Sequence, residues 1–409
     1  MRVLYINHYA GSLDMGMEFR PYYFAREWKK RGHDVRIIAA DYSHLRKNNP
    51  NVKRDFEKQI IDGIEYQWIK TNTYEGNGVN RALTMFQFCG KLLLGAGKLV
   101  KEFKPDVVIG SSTYPLDTYP AQIIKKLSKN CVYIHEGHDI WPLTLTEIGG
   151  MGKWNPFVVL LGIAEKSAYK KSDKIVSVLP NSIEHMLTHG LNDKRKFTYI
   201  PNGICSDDWE CAEELSKEYK DLFDKLHNEG KFVVAYLGGH ALSNSLDQLL
   251  DAANNLKFNN NVSFVLIGKG VEKERLQNRA RDMGLDNVCF LPPVSKKQVP
   301  SALKEADALY IGAESSPLYK YGVSMNKVYD YMMSGRPILY GVVAYNNEVN
   351  DANCGISFDS SKVEEICEAI KMISSLDFVR REQMGNKGKE WVLKNFEYSA
   401  LADKFEKLF

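Results

Sequence analysis

Short runs of β-branched and aliphatic residues recur along the chain, separated by stretches whose apolar positions keep helical spacing. The runs Arg2–Asn7, Asp34–Ala40, Val107–Gly110, Val132–His135 and Lys174–Ser177 are short and almost continuously apolar, as expected of strands covered on both faces. A helix over Tyr22–Arg31 lies between the first two, and Gly32 fits its C-terminal stop. At Tyr199-Ile200-Pro201-Asn202-Gly203 the alternation breaks into a turn, and a polar helical stretch over Asp207–Gly230 follows. It then restarts, with strands at Phe232–Leu237, Val262–Gly268, Val288–Leu291, Ala308–Ile311 and Pro337–Tyr340. Strands alternating with helices predict right-handed βαβ units and parallel sheets. The last segment, Asp377–Phe409, reads as helix, with Leu401, Phe405 and Phe409 spaced by four.

The break near residue 200 predicts two doubly wound, Rossmann-like α/β domains, residues 1–203 and 204–389, with a C-terminal helix at about 390–409 able to pack back on the first. The chain has 409 residues, and domains run to about 100–200 residues each. In a doubly wound sheet, ligands bind beyond the carboxyl ends of the strands. Two such domains facing across a cleft can hold a donor on one side and an acceptor on the other.

Composition narrows the function classes. Apolar residues make up 44% and charged residues 26% of the chain, ordinary for a globular protein. A formal net charge of +3 is too small to announce nucleic-acid binding. Seven cysteines are scattered without a Cys-x-x-Cys pair, which argues against a disulfide framework or zinc ribbon and fits a reducing compartment. Met1–His8 lacks the apolar core of about 7–15 residues of a signal peptide. No run of about 18 uncharged apolar residues occurs, so the expectation is a cytoplasmic protein without a membrane span.

Candidate chemistry centres on Tyr321-Gly322-Val323-Ser324-Met325-Asn326-Lys327-Val328-Tyr329-Asp330, a loop with Gly and Ser opening into a helix. A helix N-terminus offers free N–H groups and a positive dipole end to a diphosphate. Lys327 adds a full charge there, and Asp330 is placed to accept hydrogen bonds from a ribose diol. The bland alternative is a surface helix capped by Ser or Asn. The loop Tyr9–Glu18 after the first strand carries Gly11 and Gly16, which allow backbone close to a diphosphate or sugar; it is not a dinucleotide fingerprint. His138 and Asp139 follow a strand at its carboxyl end. His135-Glu136-Gly137-His138 lacks the spacing of a His-Glu-x-x-His zinc site. His185 and His189, four apart, can chelate a metal on one helix face, but no third ligand is evident. No Asp-x-Asp triad stands at a strand end, so no metal is expected at the donor, and no cofactor. Between Gly76 and Lys101, within the stretch 76–104, there is no acid, yet Arg81, Lys91, Lys98 and Lys101 alternate with apolar residues. This pattern suits either an anionic membrane surface or a core-facing helix with a solvated basic side.

The segment from Asn326 to Pro337 resembles the Asn-Lys-Leu-Phe-Asp/Glu-Tyr-Met-Ala-Ala-Gly-Lys-Pro signature of glycosyltransferase family 4, which has the GT-B fold. The likeness is strongest to bacterial O-antigen and capsule transferases of the lipid-linked fucosamine branch. Gly32-His33-Asp34-Val35, His138-Asp139-Ile140-Trp141-Pro142, Ile200-Pro201-Asn202-Gly203-Ile204, Tyr236-Leu237-Gly238-Gly239 and Val265-Leu266-Ile267-Gly268-Lys269-Gly270 resemble further family segments, in the same order. The resemblance implies a retaining, metal-independent transferase. It would use a UDP-sugar donor, carrying an N-acetylated hexosamine or deoxyhexosamine, and a saccharide or polyprenyl-diphosphate-linked acceptor at the cytoplasmic membrane face. It also implies that His138 contacts the donor sugar, that backbone near Val294 reads the base, and that Gly238, Gly239, Gly268, Ser324 and Asn326 line the donor. The chain departs from the family's Glu-x7-Glu pair, since the first acid falls on Gly322. It departs again where the family carries Arg and Lys, here Gly239 and Asn244, which leaves Lys327 as the main cation at the diphosphate. A GT-B sugar-nucleotide 2-epimerase and a non-catalytic partner subunit remain open as alternatives.

Overall fold

The computed structural model describes every residue except Met17, Asn77, Asn259 and Asn260. Met17 belongs to the glycine-bearing first loop and Asn77 to the basic stretch, so those two positions lie outside the described residues. The chain forms two compact units. One comprises Met1–Asn202, Lys320–Ser324 and Tyr398–Phe409; the other comprises Gly203–Tyr319 and Met325–Glu397.

The first unit is built on eight strands: β1 (Arg2–Ile6), β2 (Asp34–Ala40), β3 (Glu57–Ile61), β4 (Ile64–Ile69), β5 (Val107–Gly110), β6 (Val132–Gly137), β7 (Lys174–Ser177) and β8 (Phe197–Tyr199). Their order is β3-β4-β2-β1-β5-β6-β7-β8. All pairs are parallel except β3 with β4. The strand order reverses between β1 and β5, so the crevice at their carboxyl ends is where a ligand is expected. The helix Val79–Phe103 covers one face, burying Met85, Phe88, Leu92, Leu99 and Phe103 in the core. By length and composition it is long and apolar enough to cross a membrane; here one side is core, and Val79, Leu83, Phe86 and Leu94 are exposed.

The final segment is two helices rather than one, Phe378–Phe396 and Tyr398–Glu406, separated at Glu397. The second packs on the helix Arg20–Lys30: Phe405 stands edge-on to Phe24 and Trp28, and Tyr398 stacks on Tyr23 at 4.6 Å. Leu401 and Phe405 are buried there, as their spacing of four predicts.

The second unit has six parallel strands: β9 (Phe232–Leu237), β10 (Val262–Ile267), β11 (Val288–Leu291), β12 (Ala308–Gly312), β13 (Ile338–Gly341) and β14 (Gly355–Ser357). They lie in the order β11-β10-β9-β12-β13-β14, a doubly wound sheet whose switch point falls between β9 and β12. The helical stretch expected over Asp207–Gly230 is interrupted, with helices at Ser206–Glu210 and Lys217–Asn228.

Candidate active site

In the second unit, the helix Asn326–Met333 is pinned to the end of β9 by one hydroxyl. Tyr331 Oη accepts from Leu237 N at 2.7 Å and donates to Leu237 O at 3.1 Å. That contact fixes the position of Lys327, one turn earlier on the helix. Lys327 Nζ donates to Asn244 Oδ1 at 2.5 Å and lies 4.9 Å from the centre of the Tyr236 ring. Asn244 Nδ2 and Tyr236 Oη both donate to the carbonyl of Gly239, at 3.0 and 2.6 Å. Lys327, Asn244, Gly239 and Tyr236 thus form one polar chain at the carboxyl end of β9. Burial lowers the Lys327 pKa to about 8, because few groups there replace the hydration of an ammonium. The helix opens at Met325 without a side-chain cap, so the expected Ser or Asn cap is not made.

Two glycines bring the ends of β9 and β10 together. Gly268 has φ +157°, and a Cβ on it would lie 1.9 Å from Gly238 O. Only glycine fits there. Asp330, which the sequence places to accept from a ribose, has both its oxygens within 2.8 Å of Lys296 Nζ. Lys296 sits in the turn after β11, two residues beyond Val294, in a short helix closed by a Ser295–Gln298 capping box. Val294 is half-buried there, packed against the cluster around Leu291 and Phe223. Asn326 is exposed at the first helical position.

The sequence grouped Gly322 and Ser324 with these residues, but in the structure they belong to the first unit. Asn202 N donates to Ser324 Oγ at 3.0 Å, Asn202 Nδ2 to Ser324 O at 3.1 Å, and Asn181 N to Tyr321 O at 3.0 Å. Gly322 takes φ +101° in this segment, a conformation that glycine adopts without strain.

In the first unit the carboxyl ends of β1, β5 and β6 converge on a buried carboxylate, Glu136. Arg20 Nε and Nη2 donate to Glu136 Oε1 at 3.0 and 2.9 Å. Tyr5 Oη and Ser111 Oγ donate to Oε2, the latter at 2.6 Å. Arg20 also bonds the carbonyls of Ile200 and Pro201. Burial works against the charge of Glu136, but Arg20 and the hydrogen bonds from His138 and Ser111 hold its pKa well below the usual carboxylate range. Ser111 Oγ also lies 2.8 Å from His138 Nε2. An ionised Glu136 can only accept, so the single Ser111 proton goes to it. Ser111 then accepts from His138, whose Nε2 carries a proton. Burial disfavours a charged His138 ring, yet the hydrogen bond and charge of Glu136 raise its pKa overall.

Asp139 serves its own loop: Oδ1 accepts from Ile140 N at 2.7 Å and Thr144 Oγ1 at 2.8 Å. Burial raises its pKa. Described residues of the glycine-bearing first loop are held by hydrogen bonds to the first sheet and its neighbours. Gly11 O accepts from Tyr66 Oη at 2.6 Å, Arg46 Nη2 donates to Ala10 O at 2.6 Å, and Gly16 turns at φ +75°.

Sequence reasoning passed over Arg20, Ser111, Tyr331 and Lys296, and weighed Glu136 only within a metal motif. In the sequence Arg20 stands only as an Arg just before Pro21 at the start of the first helix, with nothing to mark it as buried. Nothing in the sequence pairs it with Glu136.

The two doubly wound sheets, each with polar groups gathered at the carboxyl ends of its strands, define the GT-B class. Solved structures with this architecture cover the whole chain. Sucrose-phosphate synthase from Thermosynechococcus elongatus aligns with a TM-score of 0.74 at 14% identity, over 100% of this chain and 98% of that one. Anabaena HepE in complex with UDP and glucose aligns at 0.68 and 13%, over 99% and 98%. The model for glycosyl transferases group 1 matches residues 218–391, and that for Glycosyltransferase Family 4 matches residues 15–208. The chain belongs to the glycosyltransferases of family 4. An Escherichia coli (strain K12) protein described as a colanic acid biosynthesis glycosyl transferase, WcaI, is 22% identical over 213 residues. That match takes in 51% of this chain and 50% of WcaI, so it spans about half the length of the relative.

Proposed function

We propose that this protein transfers a sugar, with retention of configuration, from a UDP-sugar to a saccharide or lipid-diphosphate-linked acceptor in bacterial surface-polysaccharide synthesis, without a metal at the donor. The observation that carries the reading is the Lys327–Asn244–Gly239 chain at the switch point of the second sheet, beside a helix N-terminus left without a side-chain cap. A diphosphate seated there meets helix N–H groups and one ammonium, which stabilise the departing nucleoside diphosphate as its charge grows. The leaving phosphate oxygen takes the proton of the attacking hydroxyl, so no protein base is needed on that face. The second unit holds the donor and the first the acceptor. His138 keeps its Nε2–H turned to Ser111. The proposal draws on the UDP found with HepE and the polysaccharide context in the WcaI description. Residues 76–104 lay the first unit on an anionic membrane, through the exposed Val79, Leu83, Phe86 and Leu94 and the basic Lys98 and Lys101 beside them.

The test is a thermal-shift titration with UDP, GDP, ADP and CMP in metal-free buffer. A ligand that binds only the folded state stabilises it by about 2.7 kcal/mol at a hundred times its Kd. A rise with UDP alone, lost in Lys327→Ala, supports the reading. No response to any nucleotide, or a UDP response that needs a divalent cation, refutes it.

A further inference from the structure

The sequence offered His185 and His189 as a helical pair without a third ligand; the fold supplies one. Glu165, on the helix Pro156–Lys171, meets the helix Ser182–Thr188 at His185, and one ligand atom from each of Glu165, His185 and His189 lies within 4.8 Å of the other two. We propose that these three side chains form a binding site for a divalent transition metal, of which zinc suits a two-imidazole, one-carboxylate set, clamping the two helices together. The site is separate from the donor groups and does not depend on the proposed reaction.

Three observations show a built site. Glu165 and His185 are 2% and 5% exposed, so two of the ligands are shielded from competing water. Both meet at Glu165 Oε1: His185 Nε2 stands 2.7 Å from it and Tyr169 Oη donates to it at 3.0 Å, which fixes the carboxylate as an outer partner would. His189 Nδ1 lies 2.9 Å from the carbonyl of His185. A carbonyl only accepts, so Nδ1 carries the proton and Nε2 keeps its lone pair for a metal.

The metal takes the place of the proton that His185 Nε2 now directs at Glu165, and the imidazole stays neutral by carrying its one proton on Nδ1 instead. The imidazole rings are stacked at 3.8 Å between centres and 14° between planes, so the exposed His189 ring turns out of the stack to bring Nε2 to the metal. The same helix begins beside Asn181, which holds Tyr321 O, and the Tyr321 ring stands edge-on to His185. A bound metal therefore steadies the platform under residues 320–324.

The experiment uses the full chain without a polyhistidine tag, stripped with chelator and titrated with cobalt(II) and zinc(II) chloride. The expected result is one equivalent of cobalt giving the intense visible bands of four-coordinate geometry, bleached by zinc, with a rise in melting temperature reversed by EDTA. His189→Ala, at an exposed position, is expected to weaken binding at least tenfold without changing the metal-free melting temperature by more than a degree or two. Glu165→Gln is expected to weaken it similarly and to shift the cobalt spectrum. Should that buried variant not fold, the wild-type cobalt spectrum and the His189→Ala affinity decide alone. Weak, six-coordinate cobalt bands, unchanged affinity in His189→Ala, or a folded Glu165→Gln that binds as wild type would each overturn the proposal; the last would mean simple chelation by a histidine pair.

Discussion

Arg20→Met puts the buried carboxylate at the head of the first sheet to the test. Arg20 and Glu136 are 3% and 0% exposed. The guanidinium makes two bonds to Glu136 and one each to Ile200 O and Pro201 O. Methionine keeps an unbranched apolar stem without any donor, and among the described residues leaves Glu136 with Tyr5 and Ser111 as close donors beside His138. Removing one partner of a buried pair costs about 3–5 kcal/mol, because the remaining charge is neither hydrated nor matched. At about 2–4 °C per kcal/mol for a unit of this size, the melting transition should fall by roughly 6–20 °C, read by circular dichroism or calorimetry at pH 7. Arg20→Met with Glu136→Gln should recover more than half of the loss, since it removes the stranded charge. The pH dependence has a definite sign. In the wild type, the Glu136 pKa is depressed by folding, so its contribution is present above the unfolded carboxylate value of about 4.3 and fades as pH falls below it. In the variant, the unmatched carboxylate has a raised pKa, so acid relieves its cost. The gap between the two proteins should therefore narrow from pH 7 to pH 4.5. A variant melting within about 2 °C of wild type, or a gap that widens in acid, refutes the argument.

Lys327→Ala should lower turnover by about a hundredfold or more with the melting temperature kept, since one preorganised charge at a developing oxyanion is commonly worth about 3–4 kcal/mol; near-normal turnover would remove Lys327 from the site. UDP affinity, measured by calorimetry, should hold below pH 8 and decline above it, because the ammonium that meets the diphosphate is lost as pH rises through its pKa of about 8; a flat profile to pH 9.5 counts against this. Gly268→Ala should unfold the second unit or leave the chain insoluble, as its methyl would sit 1.9 Å from Gly238 O; a soluble variant with wild-type melting would contradict the close approach. Co-sedimentation with anionic vesicles, but not zwitterionic ones, should be seen for the wild type and be weakened by Leu83→Glu with Leu94→Glu, both exposed; no pelleting of the wild type would end the membrane reading.

The strands that the pattern revealed are those covered on both faces. β1, β2, β5, β7, β9 and β10 are nearly continuous apolar runs and fall within a residue of the expected bounds. The hairpin of β3 and β4 was missed although Asp62-Gly63, at φ +50° and +77°, is a hairpin turn signal; β3 itself is an exposed edge strand, with Lys58, Gln59 and Ile60 in solvent, and gives only a weak apolar pattern. β8 and β14 are three half-buried residues each, too short for a period to show. The break inside 207–230 has no Gly or Pro to mark it; the segment leaves the helix where Glu213 N bonds Lys297 O and Leu215 enters the core. The division at Glu397 is likewise set from outside, by the bridge from Ile204 to Glu397.

For the site, the sequence by itself determined the residue types that local backbone geometry demands. Gly268 is needed for a close approach, Lys327 stands in the first turn of a helix, and His138 follows the end of a strand. These follow from short-range rules, since φ, strand ends and helix starts are fixed by a few neighbouring residues. Only the tertiary structure decided the pairings. It set Arg20 on Glu136, Ser111 between Glu136 and His138, Lys296 on Asp330, Asn244 under Lys327, and Glu165 beside His185. The partners in these pairs are 20 to 116 residues apart, apart from the near neighbours Glu136 and His138. A buried charge must be matched by whatever the fold brings within hydrogen-bond reach, and spacing along the chain does not say which residue that will be.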